Sequence, residues 1–488
     1  MSLRRYRYQP LEECWFRILH LEPHRDRDAP IQCKLVTHPL LLDAQDATAP
    51  ATPYEALSYT WGPSLENKRI ELGGVQTPVT DNLHAALVHL RDPSTVRTMW
   101  VDALCINQND LDERQRQVQA MALIYNNASR VIVWLGEADE WTEKAFGEIH
   151  RSANGKPASI IFGVVSLLRR EWFRRVWASN HEIAAAQSIL VKCGGSEMEG
   201  YTFATGLSIM NSNFAGWLDY EDKDYGPVCS TADLMRRTIF RPIDPVSKPS
   251  EFSLSVRPLG ELLDLYRKRE ATQRHDKVYA LLGMSSDAST SKTLLPDYKT
   301  PWADLLAKVA QTVLGDHVRL ITTLSRGEVA VIRAKGRVAG RVTSVEDCAE
   351  GNDERAIRIK FRGSTSHTMC DRGRPIKRGD LICMLEGAAK PIIVRTGRYC
   401  LLLVASSVNV QVPEAALSAS TPRDLLLWWD WGNTWTTHIS FWFIYGVEKG
   451  RVPGYKQDDI ARMMRCVEAD EVCIRCRSPL LLSSICGY

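Results

Sequence analysis

The stretch MWVDALCINQND puts Asp102, Cys105, Asn107 and Gln108 within a few residues of an apolar run that ends at Trp100. A second apolar run, in YEALSYTWGP, stops at Trp61 and Gly62. A carboxylate, a thiol, two carboxamides and an indole at strand ends can line one ligand crevice, because polar groups placed there converge on whatever fills the edge of a sheet. Each also has a structural reading. Asp102 and Asn107 fit a turn that closes and caps the next helix, and Cys105 fits a small buried hydrophobe. Cys105 with His84 would make a thiol dyad, but no protease signature surrounds either residue.

The elements that must position these groups follow from hydrophobic periodicity. CWFRILHLEPH and IQCKLVTHPL read as lead-in strands, followed by a loop of small residues and prolines from Asp43 to Pro53. Then come the strand of YEALSY, a polar hairpin around IELGGVQTPVT, and a helix over DNLHAALVHLR with Thr80 or Asp81 as its N-cap. The strand TMWVDALCI precedes a helix over DERQRQVQAMALIYNNA, with Val118, Met121 and Ile124 spaced by three, and the apolar strand RVIVWLG closes the series. Continuous apolar strands alternating with amphipathic helices predict a parallel sheet covered on both faces, with its ligand crevice beyond the carboxyl ends of the strands.

Composition narrows the function classes. Across 488 residues, 44% are hydrophobic and 24% charged, far from the balance of disordered or membrane-spanning chains. A net charge of +3, with no basic stripe interleaved with aromatics, disfavours nucleic acid as a partner. The longest apolar run, SIIFGVVSLL, is too short to cross a bilayer, and the charged start MSLRRYRYQP is unlike a signal peptide. Thirteen scattered cysteines fit reduced cytosolic thiols better than a disulfide framework. The expected location is the cytoplasm.

Downstream, Leu259 to Leu314 reads as helical, with Asp276 as a cap in HDKVYALLGM. Short strands dominate from Val329 to Val412 and predict a small β-barrel or sandwich, with Arg378, Gly379 and Asp380 as turn residues. The tail from Pro413 is rich in aromatics, and its Cys466, Cys473, Cys476 and Cys486 read as free thiols, with zinc as the alternative. No phosphate-binding glycine loop is present. The expected division is lead-in strands over 1–53, an α/β domain over 54–190, a mainly helical region over 191–325, a β-rich domain over 326–412 and the tail over 413–488.

The blocks YEALSYTWG, MWVDALCINQ, RQVQAMALIYNNASRVIVWLG and WFRRVW, followed by EIAAA, resemble the signature of the fungal heterokaryon incompatibility (HET) domain over about Tyr54 to Ala186. VKCGG with MEGYTF, RHDKVYALLGM with LLPDY, and RGDLICMLEGAAKPIIVR resemble the downstream region of many such proteins, at lower specificity. The resemblance implies a fold like that of the Toll/interleukin-1 receptor (TIR) domain, a flavodoxin-like sheet, and a role in nonself-triggered cell death. Related TIR domains either assemble as scaffolds or cleave NAD at its nicotinamide bond. The implied site takes Glu182 as the catalytic carboxylate and Trp61, Gly62, Asp102, Asn107 and Gln108 as the NAD-binding residues. NAD is then a substrate, with no cofactor or metal. The implied partners are further copies of the HET domain and fungal nonself-recognition proteins. Between Trp177 and Glu182 this chain reads Ala178, Ser179, Asn180 and His181, one residue more than the family's Trp-to-Glu spacing. On a helix that rotates the carboxylate by about 100°.

Overall fold

The computed structural model describes the chain from residue 6 to residue 432, except 42–51, 63–67, 158–161, 177–185, 187, 214–252, 268, 272, 288–293, 325–327, 349–353, 372–373, 398–399 and 419. The chain divides into two units, the first made of 1–301 with 347–355 and 371–375, the second of the remainder.

In the first unit the strands are β1 (Trp15–Leu21), β2 (Gln32–Pro39), β3 (Glu55–Tyr59), β4 (Lys68–Leu72), β5 (Val75–Val79), β6 (Arg97–Trp100), β7 (Arg130–Trp134), β8 (Ile189–Cys193) and β9 (Ser196–Glu199). They form one mixed sheet in the order β5-β4-β2-β1-β6-β3-β7-β8-β9. At its centre β6, β3, β7 and β8 run parallel. The expectation of a parallel sheet holds for these four strands, which α1 (Asp81–Leu90), α2 (Asp102–Cys105), α3 (Leu111–Asn127), α4 (Thr142–Ala153) and α5 (Phe162–Leu168) separate along the chain. Toward the edges the pairing is mostly antiparallel, with β2 and β4 parallel. β1 pairs antiparallel with both β2 and β6, and β4–β5 and β8–β9 are hairpins. A tight turn can only return a strand antiparallel, and Gly73 and Gly74, both at positive φ, form the β4–β5 turn. The lead-in strands thus complete the sheet that the later strands begin.

Local chemistry accounts for the elements. Thr80 caps α1, its hydroxyl accepting from Leu83 N at 3.3 Å, and Asp110 caps α3 by accepting from Asp112 N and Glu113 N. Val131, Ile132, Val133 and Trp134 are wholly buried, as a strand covered on both faces requires. At the amino end of the parallel strands Glu55 joins its neighbours, pairing with Arg97 of β6 and Arg130 of β7. Burial acts to raise the Glu55 carboxyl, but hydrogen bonds from the two guanidiniums outweigh it and hold the group below the usual carboxylate range. β6 is shorter than TMWVDALCI suggests. The chain coils at Val101, whose carbonyl accepts from Cys105 N at 2.7 Å, so Asp102 opens a helical turn.

The unit continues through α6 (Gly200–Asn213), α7 (Leu259–Tyr266) and α8 (Asp276–Leu282). Asp276 is not the cap expected of it. His275 takes that position, and the Asp276 carboxylate instead accepts from the Tyr298 hydroxyl at 2.8 Å.

The second unit begins with α9 (Trp302–Leu314) and holds β10 (Arg319–Leu324), β11 (Val329–Asp347), β12 (Glu354–Phe361), β13 (Ser364–Asp371), β14 (Leu381–Leu385), β15 (Ile392–Thr396), β16 (Leu401–Ala405), α10 (Glu414–Ser418) and β17 (Arg423–Asp430). The sheet runs β13-β12-β11-β14-β15-β16-β17 and returns on itself where β17 pairs with β11. Five strands therefore close a small barrel, from which β12 and β13 extend. As the turn chemistry predicts, Gly379 has positive φ and Asp380 accepts from Lys377 N at 2.8 Å, while Arg395 grips both Asp380 oxygens at 2.8 and 2.9 Å. The aromatic tail from residue 433 and its four cysteines lie outside the described residues.

Candidate functional site

The parallel strands come first, second, third and fourth along the chain as β3, β6, β7 and β8, yet stand side by side as second, first, third, fourth. The order reverses between β3 and β7, and loops that leave in opposite directions open a space at the carboxyl ends of that pair. The polar residues singled out from the sequence lie around it.

Asp102 follows β6. Its Oδ2 accepts from the indole Nε1 of Trp61 at 2.9 Å, and its Oδ1 accepts from Ala103 N at 2.7 Å. The Arg175 guanidinium and the Tyr59 hydroxyl act on the same carboxylate. Burial pushes this carboxyl up; the charge of Arg175 and the hydrogen bonds of Trp61, Ala103 and Tyr59 oppose the shift without cancelling it. Trp61 remains 37% exposed, so one aromatic surface faces solvent beside the carboxylate. Gly62, at φ 75°, turns the chain away immediately after that indole.

Arg175 is placed by two attachments. Its Nη1 donates to Tyr59 O at 2.9 Å, and its neighbours are zippered to another segment, Val176 N donating to Glu270 O and Glu270 N to Arg174 O. Trp172 drives an indole N–H onto Ser58 Oγ at 2.8 Å, fixing the same turn beneath β3.

Asn82 of α1 ties β3 to β7. Its Nδ2 donates to Thr60 O at 2.6 Å and Thr60 Oγ1 at 3.1 Å, while its Oδ1 accepts from Trp134 Nε1 at 2.9 Å. After β7, Arg170 holds the loop by donating to Leu135 O, Glu137 O and Asp139 Oδ2. That loop depends on Gly136 at φ 98°, where a Cβ would stand 3.3 Å from Arg170 Nη1.

Asn107 and Gln108 serve the loop itself. Gln108 Nε2 donates to Asp102 O at 3.0 Å, and the Asn107 side chain accepts from Asn109 N at 3.3 Å, a turn-closing bond. Cys105 is fully buried, its sulphur accepting from Val101 N, and burial raises its thiol to about 12. A thiol so placed is protonated at neutral pH and is no nucleophile. Beneath the loop lies a buried pair that the sequence does not announce: Arg17 of β1 grips both Glu113 oxygens at 2.7 and 3.0 Å, and Glu113 Oε1 also accepts from Asn107 N.

Trp61, Gly62 and Asp102 are thus together, with Gln108 bracing Asp102 from behind, while Asn107 turns to its own loop. Glu182, together with Trp177 and His181, lies outside the described residues. Sequence reading missed Arg175, Asn82 and Tyr59 as site residues. Arg175 stood in the quoted WFRRVW block, but nothing in that block shows which strand end it meets. Among the described residues no cluster of His, Cys, Asp or Glu could hold a metal ion, and no helix is long and apolar enough to cross a membrane.

Comparison with known proteins finds similarity over part of the chain. Residues 54–180 match the family model described as heterokaryon incompatibility protein (HET). A curated relative from Neurospora crassa, "Heterokaryon incompatibility protein 6, OR allele", is 26% identical over 362 residues, which cover 61% of this chain and 51% of the relative. The chain therefore spans about half the length of that relative. No solved structure matches. The strands, helices and loops that gather Trp61, Asp102 and Arg175 at one sheet edge all fall within residues 54–180, the stretch that matches the heterokaryon incompatibility family model.

Proposed function

We propose that this chain acts in the cytoplasm in nonself-triggered cell death, and that its HET domain does so by cleaving NAD between nicotinamide and ribose. The observation that carries this reading is the Asp102 carboxylate, clasped by Trp61 beside Arg175, at the carboxyl edge where the strand order reverses. Ligands of open α/β sheets bind at such a reversal. The order of the four parallel strands matches that of flavodoxin-like sheets, which supports a TIR-like ancestry for the domain.

The reaction needs little machinery. Departure of nicotinamide leaves an oxocarbenium-like ribose, so a carboxylate near the sugar stabilises the developing charge and water completes the substitution. Glu182 is the residue assigned to that task, by family pattern. Asp102 accepts a ribose hydroxyl, the open face of Trp61 stacks a ring of the dinucleotide, and Arg175 supplies positive charge for its diphosphate. The extra residue between Trp177 and Glu182 favours a second reading, in which the catalytic helix is out of register and the domain signals by self-association.

Release of nicotinamide from NAD by the purified full chain separates the two. Release that is lost in Glu182→Gln establishes the enzyme. No release at any protein concentration, with undiminished killing on expression in a fungal cell, overturns it in favour of the scaffold.

A further inference from the structure

Among the described residues, a row of surface cations in the second unit has no counter-ions. Arg341 of β11, Arg358 and Lys360 of β12, and Arg362 in the following turn are all exposed. Along β12 the side chains alternate strictly. Ile357, Ile359 and Phe361 enter the core, and Arg358 and Lys360 point the other way. Among the described residues, none of the four cations has an ion-pair partner, and the exposed Glu346 stands five positions beyond Arg341 along β11. Elsewhere on the same unit several cations are matched: Arg333 with Asp424, Lys335 with Glu386, Arg395 with Asp380.

Beside this row lies an edge. β13 is the terminal strand of its sheet, eight residues long, and it reads STSHTMCD. Natural edges of that length are blunted by lysine, proline or a bulge, since an open row of N–H and C=O groups templates a further strand. Residues 364–370 contain no lysine, arginine or proline. Thr365, His367 and Met369 are exposed on it, while Thr368 turns inward to donate to Asn409 O at 2.8 Å.

The geometry points to β13 as a docking edge for an extended, acidic segment of a partner protein. The segment adds as one more strand, its backbone pairing with the outer side of β13, and its carboxylates reach past Thr365, His367 and Met369, which share the solvent face, to the cations of β12. The choice of a peptide rests on the edge, because only another backbone satisfies a strand's hydrogen-bonding groups in series. The choice of acidic character rests on the unmatched cations. Same-face residues recur about every 6.6 Å along an extended chain, so Arg358 and Lys360 match carboxylates at alternate positions of the incoming strand. A second copy of this chain is disfavoured at the same edge, since it would bring a second row of cations against the first.

The test uses the full-length protein and fluorescein-labelled eight-residue peptides, an array with Asp or Glu at alternate positions and Thr, Val or Ser between them. Anisotropy is expected to show binding by a subset of the array that weakens as salt rises from about 50 to 300 mM. The Arg358→Glu, Lys360→Glu double variant is expected to weaken binding at least tenfold with an unchanged melting temperature, because both side chains are exposed. Peptides methylated at alternate backbone nitrogens, which retain every charge, are expected not to bind. Equal binding by the methylated peptides overturns strand addition. Binding of phosphatidylserine vesicles or of a single-stranded oligonucleotide, with no binding by the array, overturns the choice of a peptide. No binding to any of the three overturns the docking edge itself.

Discussion

Arg17 lies outside the segment that matches the HET family model, yet the loop carrying the candidate site rests on it. Its guanidinium donates to Glu113 twice, to Cys105 O at 3.0 Å and to Gln9 O at 2.5 Å, and stacks 5.0 Å from the Tyr8 ring centroid. Arg17 and Glu113 side chains are only 2% and 3% exposed. In Arg17→Met, Glu113 still accepts from Asn107 N but becomes a buried anion without a counter-charge. Breaking such a pair from one side costs about 3–5 kcal/mol, a large share of the roughly 5–15 kcal/mol that holds a typical protein folded. Replacing both partners, as in Arg17→Met with Glu113→Leu, removes both buried charges and leaves the loss of the bonds to Asn107 N, Cys105 O and Gln9 O, about 2–3 kcal/mol. The double variant is therefore expected to be more stable than the Arg17→Met single, a coupling of at least about 2 kcal/mol. Urea unfolding of the parent, the two singles and the double measures it. A single variant within about 1 kcal/mol of the parent, or a double equal to the sum of the singles, refutes the reasoning.

Other expectations can be tested alongside. Asn82→Ala orphans the Trp134 indole N–H and frees Thr60, and is expected to cost about 2–3 kcal/mol in the same unfolding assay. Asp102→Ala is expected to lower nicotinamide release and fungal killing at least tenfold, while Cys105→Ala leaves both within about threefold; equal effects would discard Asp102 as a site residue. Glu182→Gln is expected to lower release roughly a hundredfold or more with folding intact, since it removes the charge that meets the oxocarbenium. The buried thiols of Cys33, Cys105 and Cys383 are each raised to about 12 by burial. Folding keeps them protonated above the ordinary thiol pKa, so the stability they contribute is whole below about pH 9 and is lost as pH rises from there toward 12. Thermal melts between pH 8 and pH 11 check that slope.

Much of the central sheet could be read from the sequence because its signals are local. YEALSY and RVIVWLG are apolar runs of strand length, Thr80 has the hydroxyl a cap requires, and the helix over DERQRQVQAMALIYNNA carries its periodicity within itself. What could not be read depends on partners far along the chain. The sheet turns antiparallel beside β6 because β1 meets β6 about eighty positions later, an event with no local signature. Arg17 sits in CWFRILHLEPH as one charge in an apolar strand, and only the fold brings Glu113 to it. Asp276 looked like a cap by its position in RHDKVY, but His275 holds that position and the Asp276 carboxylate accepts from Tyr298, 22 residues on. The site divides the same way. Trp61, Gly62 and Asp102 were visible as polar ends of apolar runs, whereas Arg175 and Asn82 matter through the strand ends they touch.

The contact between β1 and α3 also sets a schedule for synthesis. Arg17 and Glu113 are 96 positions apart. At about 5–20 residues per second Glu113 is added roughly 5–20 s after Arg17. Through that interval β1 has one neighbour instead of two, with Phe16, Ile18 and Leu19 and a cationic side chain awaiting burial. The nascent chain thus passes through a stage at which its earliest strand is exposed to chaperones, and the closing of the Arg17 pair marks the end of it.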